Sequence, residues 1–167
     1  KALIQAGADV DKADNNGATA LMMASRNDHA AIVEALLQAG ADIDKAANTG
    51  LTALIVASNR GHAAIVEALI QAGADIDKTA NDGYTALMWA SEKGHDAIVK
   101  VLIQAGADID KAANRGHAAL WIASQQGHGA IVDTLIQAGA DVYKAANNGA
   151  TALIQASQNG HDAIVDT

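Results

Sequence analysis

The chain of 167 residues is half apolar, carries a net charge of −8 and contains no Cys, Pro or Phe. The absence of Cys excludes a disulfide framework and thiolate metal ligands. The acidic balance argues against nucleic acid, whose partners need a basic surface that releases counterions. No apolar stretch approaches the roughly 20 residues that span a bilayer, and no targeting segment stands at the start. We therefore expect a cytoplasmic protein with no membrane partner.

The dominant feature of the sequence is a 33-residue unit that repeats without insertion or deletion. A fixed period of this kind indicates a stack of supersecondary units whose contacts stay local. The period is marked by a turn glycine and a histidine, at Gly17, Gly50, Gly83, Gly116 and Gly149 and at His29, His62, His95, His128 and His161. Residues 1–167 are therefore predicted to form a single array. Its parts are a partial repeat 1–10, full repeats 11–43, 44–76, 77–109 and 110–142, and a partial repeat 143–167.

The first half of a repeat predicts a turn followed by a short helix. In the second full repeat, Asn48–Gly50 has turn chemistry, since glycine adopts a positive φ at little cost. Thr52 precedes the apolar run 53–58 and is a natural N-cap. Gly61 is expected to end this helix in the left-handed conformation.

The second half of the repeat predicts another helix and a projecting loop. Within residues 63–72, Ile65, Leu69 and Ala72 share one helical face. Ala74–Lys78 is expected to be extended and to lead into the next turn. Neither helix could bury its apolar face alone, so each unit needs its neighbours.

These residues resemble the ankyrin repeat family, whose pattern runs DxxGxTPLHxAAxxGH and then IVxxLLxxGADVN. Residues 81–95 of this chain read NDGYTALMWASEKGH, and residues 98–110 read IVKVLIQAGADID. The match covers essentially the whole chain and recurs five times. The resemblance implies an all-α solenoid of helix-turn-helix units with projecting hairpin loops. It also implies a non-catalytic module that binds a partner protein through a concave face lined by the loop tips and the ends of the first helices. A uniform array of this kind is typical of either a natural fragment or an engineered protein.

Several departures from the family pattern carry expectations. The family's proline is alanine in every repeat, and its TPLH histidine is replaced by an apolar residue. In the fourth full repeat, the residue that replaces this histidine is Trp121, and we expect it to pack between repeats. Asp28 replaces a turn glycine and would have to adopt the left-handed conformation. Ala118 replaces the capping threonine of the fourth full repeat, which should weaken that helix by about 1 kcal/mol.

The repeated polar residues favour structural roles over chemistry. The histidines lie one per repeat, too far apart to share one metal ion. The paired aspartates lack the clustered oxygens of a calcium site, so loop hydrogen bonding and solubility are preferred. The serine column lies at one helical position with no base assigned to any member. We therefore predict no enzyme activity, no metal and no cofactor. These columns are Asp42/Asp44, Asp75/Asp77 and Asp108/Asp110, and Ser25, Ser58, Ser91, Ser124 and Ser157.

Because the repeated positions build the stack, specific function should lie where the repeats differ. The resemblance implies that the variable loop tips and ends of the first helices line the concave face. Trp89 precedes Glu92 and Lys93 by three and four positions and so shares their helical face. We therefore predict a central patch of Tyr84, Trp89, Arg115 and His117. Tyr, Trp and Arg dominate binding hot spots, although single exposed aromatics also occur without function. The candidate partner-binding residues are Thr49, Leu51, Arg60, Asp82, Tyr84, Trp89, Glu92, Lys93, Arg115, His117, Gln125 and Gln126.

The two ends of the chain leave alternatives open. Both lie inside second helices, so Leu3, Ile4, Ile164 and Val165 are expected to be partly uncovered. A piece of a longer array is the simplest interpretation. Alternatively, Asp166-Thr167 would continue into Lys1-Ala2 of another copy, and head-to-tail self-association would build a spacer or filament. A third hypothesis is a recruitment segment of a larger multidomain protein.

Overall fold

The computed structural model describes residues 2–166, so Lys1 and Thr167 of the head-to-tail hypothesis lie outside the described residues. The described part forms an all-α solenoid, as predicted, and its strand-type pairing is limited to one bridge between Ala145 and Thr151. Helices with even numbers are the first helices of the repeats, and those with odd numbers are the second helices. They are α1 Ala2–Gln5, α2 Ala20–Arg26, α3 Ala30–Gln38, α4 Ala53–Arg60, α5 Ala63–Gln71, α6 Ala86–Lys93, α7 Asp96–Gln104, α8 Ala119–Gln126, α9 Gly129–Gln137, α10 Ala152–Gln158 and α11 Asp162–Val165.

The helix ends follow the local sequence rules. The hydroxyl of Thr52 accepts a hydrogen bond of 3.4 Å from the Ile55 backbone N–H, which satisfies one otherwise unpaired donor. Gly61 ends α4 in the left-handed conformation with φ 83°. Asp28 also adopts positive φ, at 59°, and is the one non-glycine residue of the described chain to do so. These predictions are therefore confirmed.

The fourth full repeat lacks its cap. Ala118 has the same extended backbone as the capping threonines, with φ −93° and ψ 168°, but offers no side-chain oxygen. We expect Ala118→Thr to raise the free energy of unfolding by about 1 kcal/mol, because the new hydroxyl would accept the Trp121 backbone N–H. Urea denaturation measures this change. Thr85→Ala, the reverse exchange one repeat earlier, should lower stability by a similar amount. An Ala118→Thr variant no more stable than the parent chain would contradict the expectation.

The core is a thin layer between successive helix pairs. Each first helix packs against the first helices of its neighbours and against the second helix of its own repeat. Ile65, Val66 and Leu69 of α5 are fully buried there, while Ala72 lies beyond the helix end and is exposed, contrary to expectation. The predicted packing role of the repeated serines is confirmed for Ser25, Ser58, Ser91 and Ser124, which are buried. Ser157 is exposed.

A ladder of polar contacts joins consecutive loops. The Asn48 backbone N–H donates to the Asn16 carbonyl at 3.0 Å, and the Asn48 amide nitrogen donates to the Asn15 carbonyl at 3.1 Å. The Asp11 carboxylate accepts the backbone N–H of Asp42 at 2.9 Å. Equivalent carboxylate contacts follow at Asp44–Asp75, Asp77–Asp108 and Asp110–Asp141. The aspartates therefore hydrogen-bond the loops together, as predicted.

The segment Ala74–Lys78 is not extended, and that expectation was wrong. A turn at 76–77 is closed by the Lys78 N–H, which donates to the Asp75 carbonyl at 3.4 Å. The reason is local side-chain chemistry. The Asp75 carboxylate accepts the Asp77 backbone N–H at 3.0 Å and so offers the backbone an alternative to extension.

The histidine column joins the repeats, which confirms its predicted structural role. The His95 Nε2 lies 3.2 Å from the Asn59 carbonyl oxygen of the preceding repeat. A carbonyl only accepts, so the ring nitrogen donates. The same contact recurs at His62–Arg26, His128–Glu92 and His161–Gln125.

The terminal apolar residues are partly uncovered, as expected. Leu3 and Val165 are exposed, and Ile4 and Ile164 are half-buried. Within residues 2–166, no helix is long and apolar enough to cross a membrane.

Candidate functional site

Three neighbouring clefts form one groove across the loop tips and the first helices α2, α4, α6, α8 and α10. The central cleft has a volume of about 510 Å³, and its lining includes Asp82, Tyr84, Trp89, Glu92, Arg115, His117 and Gln125. The Arg60 cleft, of about 270 Å³, is lined by Arg26, Leu51, Val56, Asn59, Arg60 and Trp89. The Asn148 cleft, of about 450 Å³, is lined by Arg115, His117, Trp121, Gln125, Asn147, Asn148 and Gln155. The central cleft shares Trp89 with the Arg60 cleft and Arg115, His117 and Gln125 with the Asn148 cleft, so the three clefts are adjacent.

An aromatic pair lies where the central cleft meets the Arg60 cleft. The rings of Tyr84 and Trp89 are 5.1 Å apart and tilted by 52°, and both side chains are half-buried. The Tyr84 backbone N–H donates to the Asp82 carboxylate, which sets the loop that carries the ring. The Lys93 ammonium lies 5.5 Å from the Trp89 ring centroid and 2.8 Å from the Glu92 carboxylate. These contacts hold the aromatic pair in one arrangement, which lowers the entropy lost when a partner packs against it.

A second ring pair separates the central cleft from the Asn148 cleft. His117 stacks on Trp121 with centroids 3.7 Å apart and planes within 5°. Trp121 is 5% exposed, and its indole N–H donates to the Ala150 carbonyl of the following repeat at 3.1 Å. The expected packing of Trp121 between repeats is confirmed. Its edge also lines the Asn148 cleft, which the sequence did not indicate.

Most of the candidate residues meet in this groove. Nine of them line its clefts, and Lys93 reaches it through the face of Trp89. Thr49 and Gln126 are exposed and line none of the three clefts. The nine are Leu51, Arg60, Asp82, Tyr84, Trp89, Glu92, Arg115, His117 and Gln125.

Sequence reasoning missed part of the groove wall, including Gln155. This residue is 7% exposed, and its amide donates to the Gln158 side chain at 3.1 Å. The signal was present in the sequence. Gln155 occupies the repeat position that is apolar in the other repeats, where the equivalent residues are Met23, Val56, Trp89 and Ile122.

Comparison with protein families agrees with this architecture. A model of ankyrin repeats in three copies matches residues 1–47, 44–113 and 110–167. The chain belongs to the ankyrin repeat family. Ankyrin repeats are generally non-catalytic modules of protein–protein interaction. No curated protein shows significant sequence similarity to this ankyrin chain.

Burial and neighbouring charges shift two titrating groups of the ankyrin groove. Burial raises the pKa of the Tyr84 hydroxyl, the carboxylates of Glu92 and Asp82 raise it further, and the Arg115 cation opposes them. Burial also lowers the pKa of the His117 imidazole, and Arg115 lowers it further. Both shifts favour the neutral ring, so at neutral pH the aromatic walls of the groove are uncharged.

The shift at His117 predicts a pH effect. The lowered pKa means that the unfolded chain binds this proton more readily, so His117 makes the array less stable as pH falls below 6.5. An NMR titration of His117 should give a midpoint below 6.5. Arg115→Ala should move it upward without restoring 6.5, because burial remains, and Arg115→Lys should leave it nearly unchanged. A midpoint at or above 6.5 in the parent chain would contradict the assignment.

Proposed function

We propose that this ankyrin array is a non-catalytic protein-binding module that holds its partner in the groove. The observation that supports the proposal most is the coincidence of two independent features. The positions at which the repeats differ in sequence are, for the most part, the positions that line these three adjacent clefts. Residues needed only for stacking would show no such concentration.

The chemistry of the groove suits an extended polypeptide segment. Its three clefts follow one another along the stack at the spacing of the repeats, about 10 Å. Side chains about three residues apart in an extended partner could therefore enter neighbouring clefts. Tyr84 and Trp89 offer half-buried aromatic surface at the centre, and Arg115 offers hydrogen-bond donors beside it. Such residues, surrounded by contacts that exclude water, carry most of the binding energy in protein interfaces.

Selection from a displayed library of random dodecapeptides tests this proposal, with the purified chain as the target. Peptides that bind should lose about tenfold or more in affinity on Tyr84→Ala or Arg115→Ala, the loss typical of a hot-spot residue. Lys100→Ala is the control, because Lys100 is exposed on α7 outside the groove. Circular dichroism and urea midpoints confirm that the variants fold. Peptides that bind all the variants equally, or a library that yields no binder, would refute binding in the groove.

A further inference from the structure

All three arginines of this acidic chain line the groove. Arg26 and Arg60 lie in the Arg60 cleft, and Arg115 lies between the central and Asn148 clefts. Among the described residues, no guanidinium makes an ion pair or a hydrogen bond. The unpaired guanidinium groups are therefore concentrated on one face of a protein whose net charge is −8.

The acidic residues nearest to Arg26 and Arg60 in sequence are Asp28 and Glu67, and neither lines the Arg60 cleft. The Asp28 carboxylate lies 3.6 Å from the His62 Nδ1. The loop aspartates are held in the ladder, where Asp44, for example, accepts the Asp75 backbone N–H. Glu92 is paired with Lys93. Between residues 2 and 166, no carboxylate lines the Arg60 cleft itself. An anionic group that enters this cleft would consequently meet two cations and no acidic side chain of the lining.

The remaining lining of the Arg60 cleft is largely apolar. Leu51, Val56 and Trp89 are half-buried there and leave part of their surface uncovered. Arginine binds carboxylates through a planar fork of N–H donors. The cleft thus combines recognition of a carboxylate with a surface for an adjacent apolar side chain.

We propose that the Arg60 cleft binds a short acidic–apolar motif of the partner protein, an inference that rests on the proposed function. An Asp or Glu side chain pairs with Arg60 and Arg26, and a neighbouring aliphatic or aromatic side chain packs on Leu51, Val56 and Trp89. Charge complementarity favours this occupant, because the two arginines offer positive charge on a protein whose net charge is otherwise negative.

The central cleft limits the length of the acidic motif. Asp82 and Glu92 line it beside Arg115, so a partner with carboxylates at every position would meet like charge one repeat further along. The same argument disfavours a nucleic acid, whose phosphates follow at every nucleotide. The groove therefore fits a peptide with one acidic cluster rather than a polyanion.

The peptide selection described above also tests this inference when the bound sequences are read. Selected peptides should be enriched in Asp or Glu next to a Leu, Ile, Val or Phe. A fluorescein-labelled consensus peptide should lose about tenfold or more in affinity on Arg26→Glu/Arg60→Glu. Its counterpart with Lys in place of the acidic residue should bind that double variant better than the parent chain.

A matched control variant has the same change in net charge at residues outside the groove. Lys12→Glu/Lys100→Glu makes the same change in net charge at two exposed sites that line none of the three clefts. This variant should bind the acidic peptide within about twofold of the parent chain. Circular dichroism and urea midpoints show that both double variants are folded.

The outcomes separate this inference from the proposed function. Peptides whose binding depends on Tyr84 and Arg115 but that carry no acidic residue would support binding in the groove and would overturn the proposal of an acidic motif. A twelve-nucleotide oligothymidine that binds more tightly than the peptide would overturn the choice of occupant. Self-association would overturn it as well. In that case the mass of the parent chain in light scattering would grow with concentration, and the Arg26→Glu/Arg60→Glu variant would stay monomeric, because the acidic loops of a second copy would fill the cleft. A library without binders would refute both proposals.

Discussion

Trp121→Ala is expected to lower the free energy of unfolding by about 3–5 kcal/mol, the usual loss for removing a large buried aromatic side chain. The indole lies in a buried cluster with Met88 of the preceding repeat and Ala146 of the following one. It also supplies the hydrogen bond to the Ala150 carbonyl and the stacking surface for His117. Its removal therefore leaves a cavity at a junction of three repeats, and equilibrium urea denaturation would measure the loss.

Trp121→Phe separates packing from hydrogen bonding at this junction. The Ala150 carbonyl keeps a second donor, the Ala146 backbone N–H at 2.9 Å, so the lost indole N–H leaves no unpaired acceptor. We expect this variant to lose only about 1–2 kcal/mol. A Trp121→Ala variant no less stable than Trp121→Phe would show that the ring does not hold these repeats together.

Gly116→Ala is expected to destabilise the array by about 2–5 kcal/mol. Gly116 has φ 81°, a conformation that costs a residue with a Cβ about 1–2 kcal/mol. The added Cβ would also lie 2.7 Å from the backbone nitrogen of Asn147 in the next loop. Because that nitrogen belongs to the loop ladder, the next repeat would have to shift, at a further cost of about 1–3 kcal/mol.

Gly149→Ala is the matched control, because it shares the turn position and has φ 80° with no atom within 4 Å of the added Cβ. It should show only the conformational cost of about 1–2 kcal/mol. The difference between the two variants, taken from urea denaturation, measures how closely adjacent loops pack. Equal losses at Gly116 and Gly149 would mean that the loops move apart freely.

Local features of a repeat were predictable from its own residues. The positive φ of Gly61 and Asp28, and the cap provided by Thr52, depend on turn and helix-end chemistry within a few residues. Two local expectations failed. Ala72 lies beyond the end of α5 and is exposed. Ala74–Lys78 is not extended, because the Asp75 carboxylate competes for backbone N–H groups and closes a turn. Loop hydrogen bonding by Asp75 was expected from the sequence, but the turn that this carboxylate closes was not.

The candidate site was less predictable, because it depends on contacts between residues about one repeat apart. The sequence indicated Tyr84 and Trp89 as members of one central patch, and the structure places their rings 5.1 Å apart. It did not indicate that Gln155 lines the groove, or that Thr49 and Gln126 lie outside the three clefts. Variation between repeats identifies exposed positions, but the direction of each side chain decides which of them share a cleft.

By itself, the sequence determined the stack, its helix pairs and its caps, since a gapless 33-residue period forces each unit into the same local structure and the same contacts with its neighbours. Only the tertiary structure decided which variable side chains form one groove and which charges stay unpaired inside it. Arg26 and Arg60 are distant in sequence and line one cleft because stacking brings equivalent helix ends side by side. The carboxylate nearest to Arg26 in sequence, Asp28, lies beside the imidazole of His62 instead, 3.6 Å from its Nδ1.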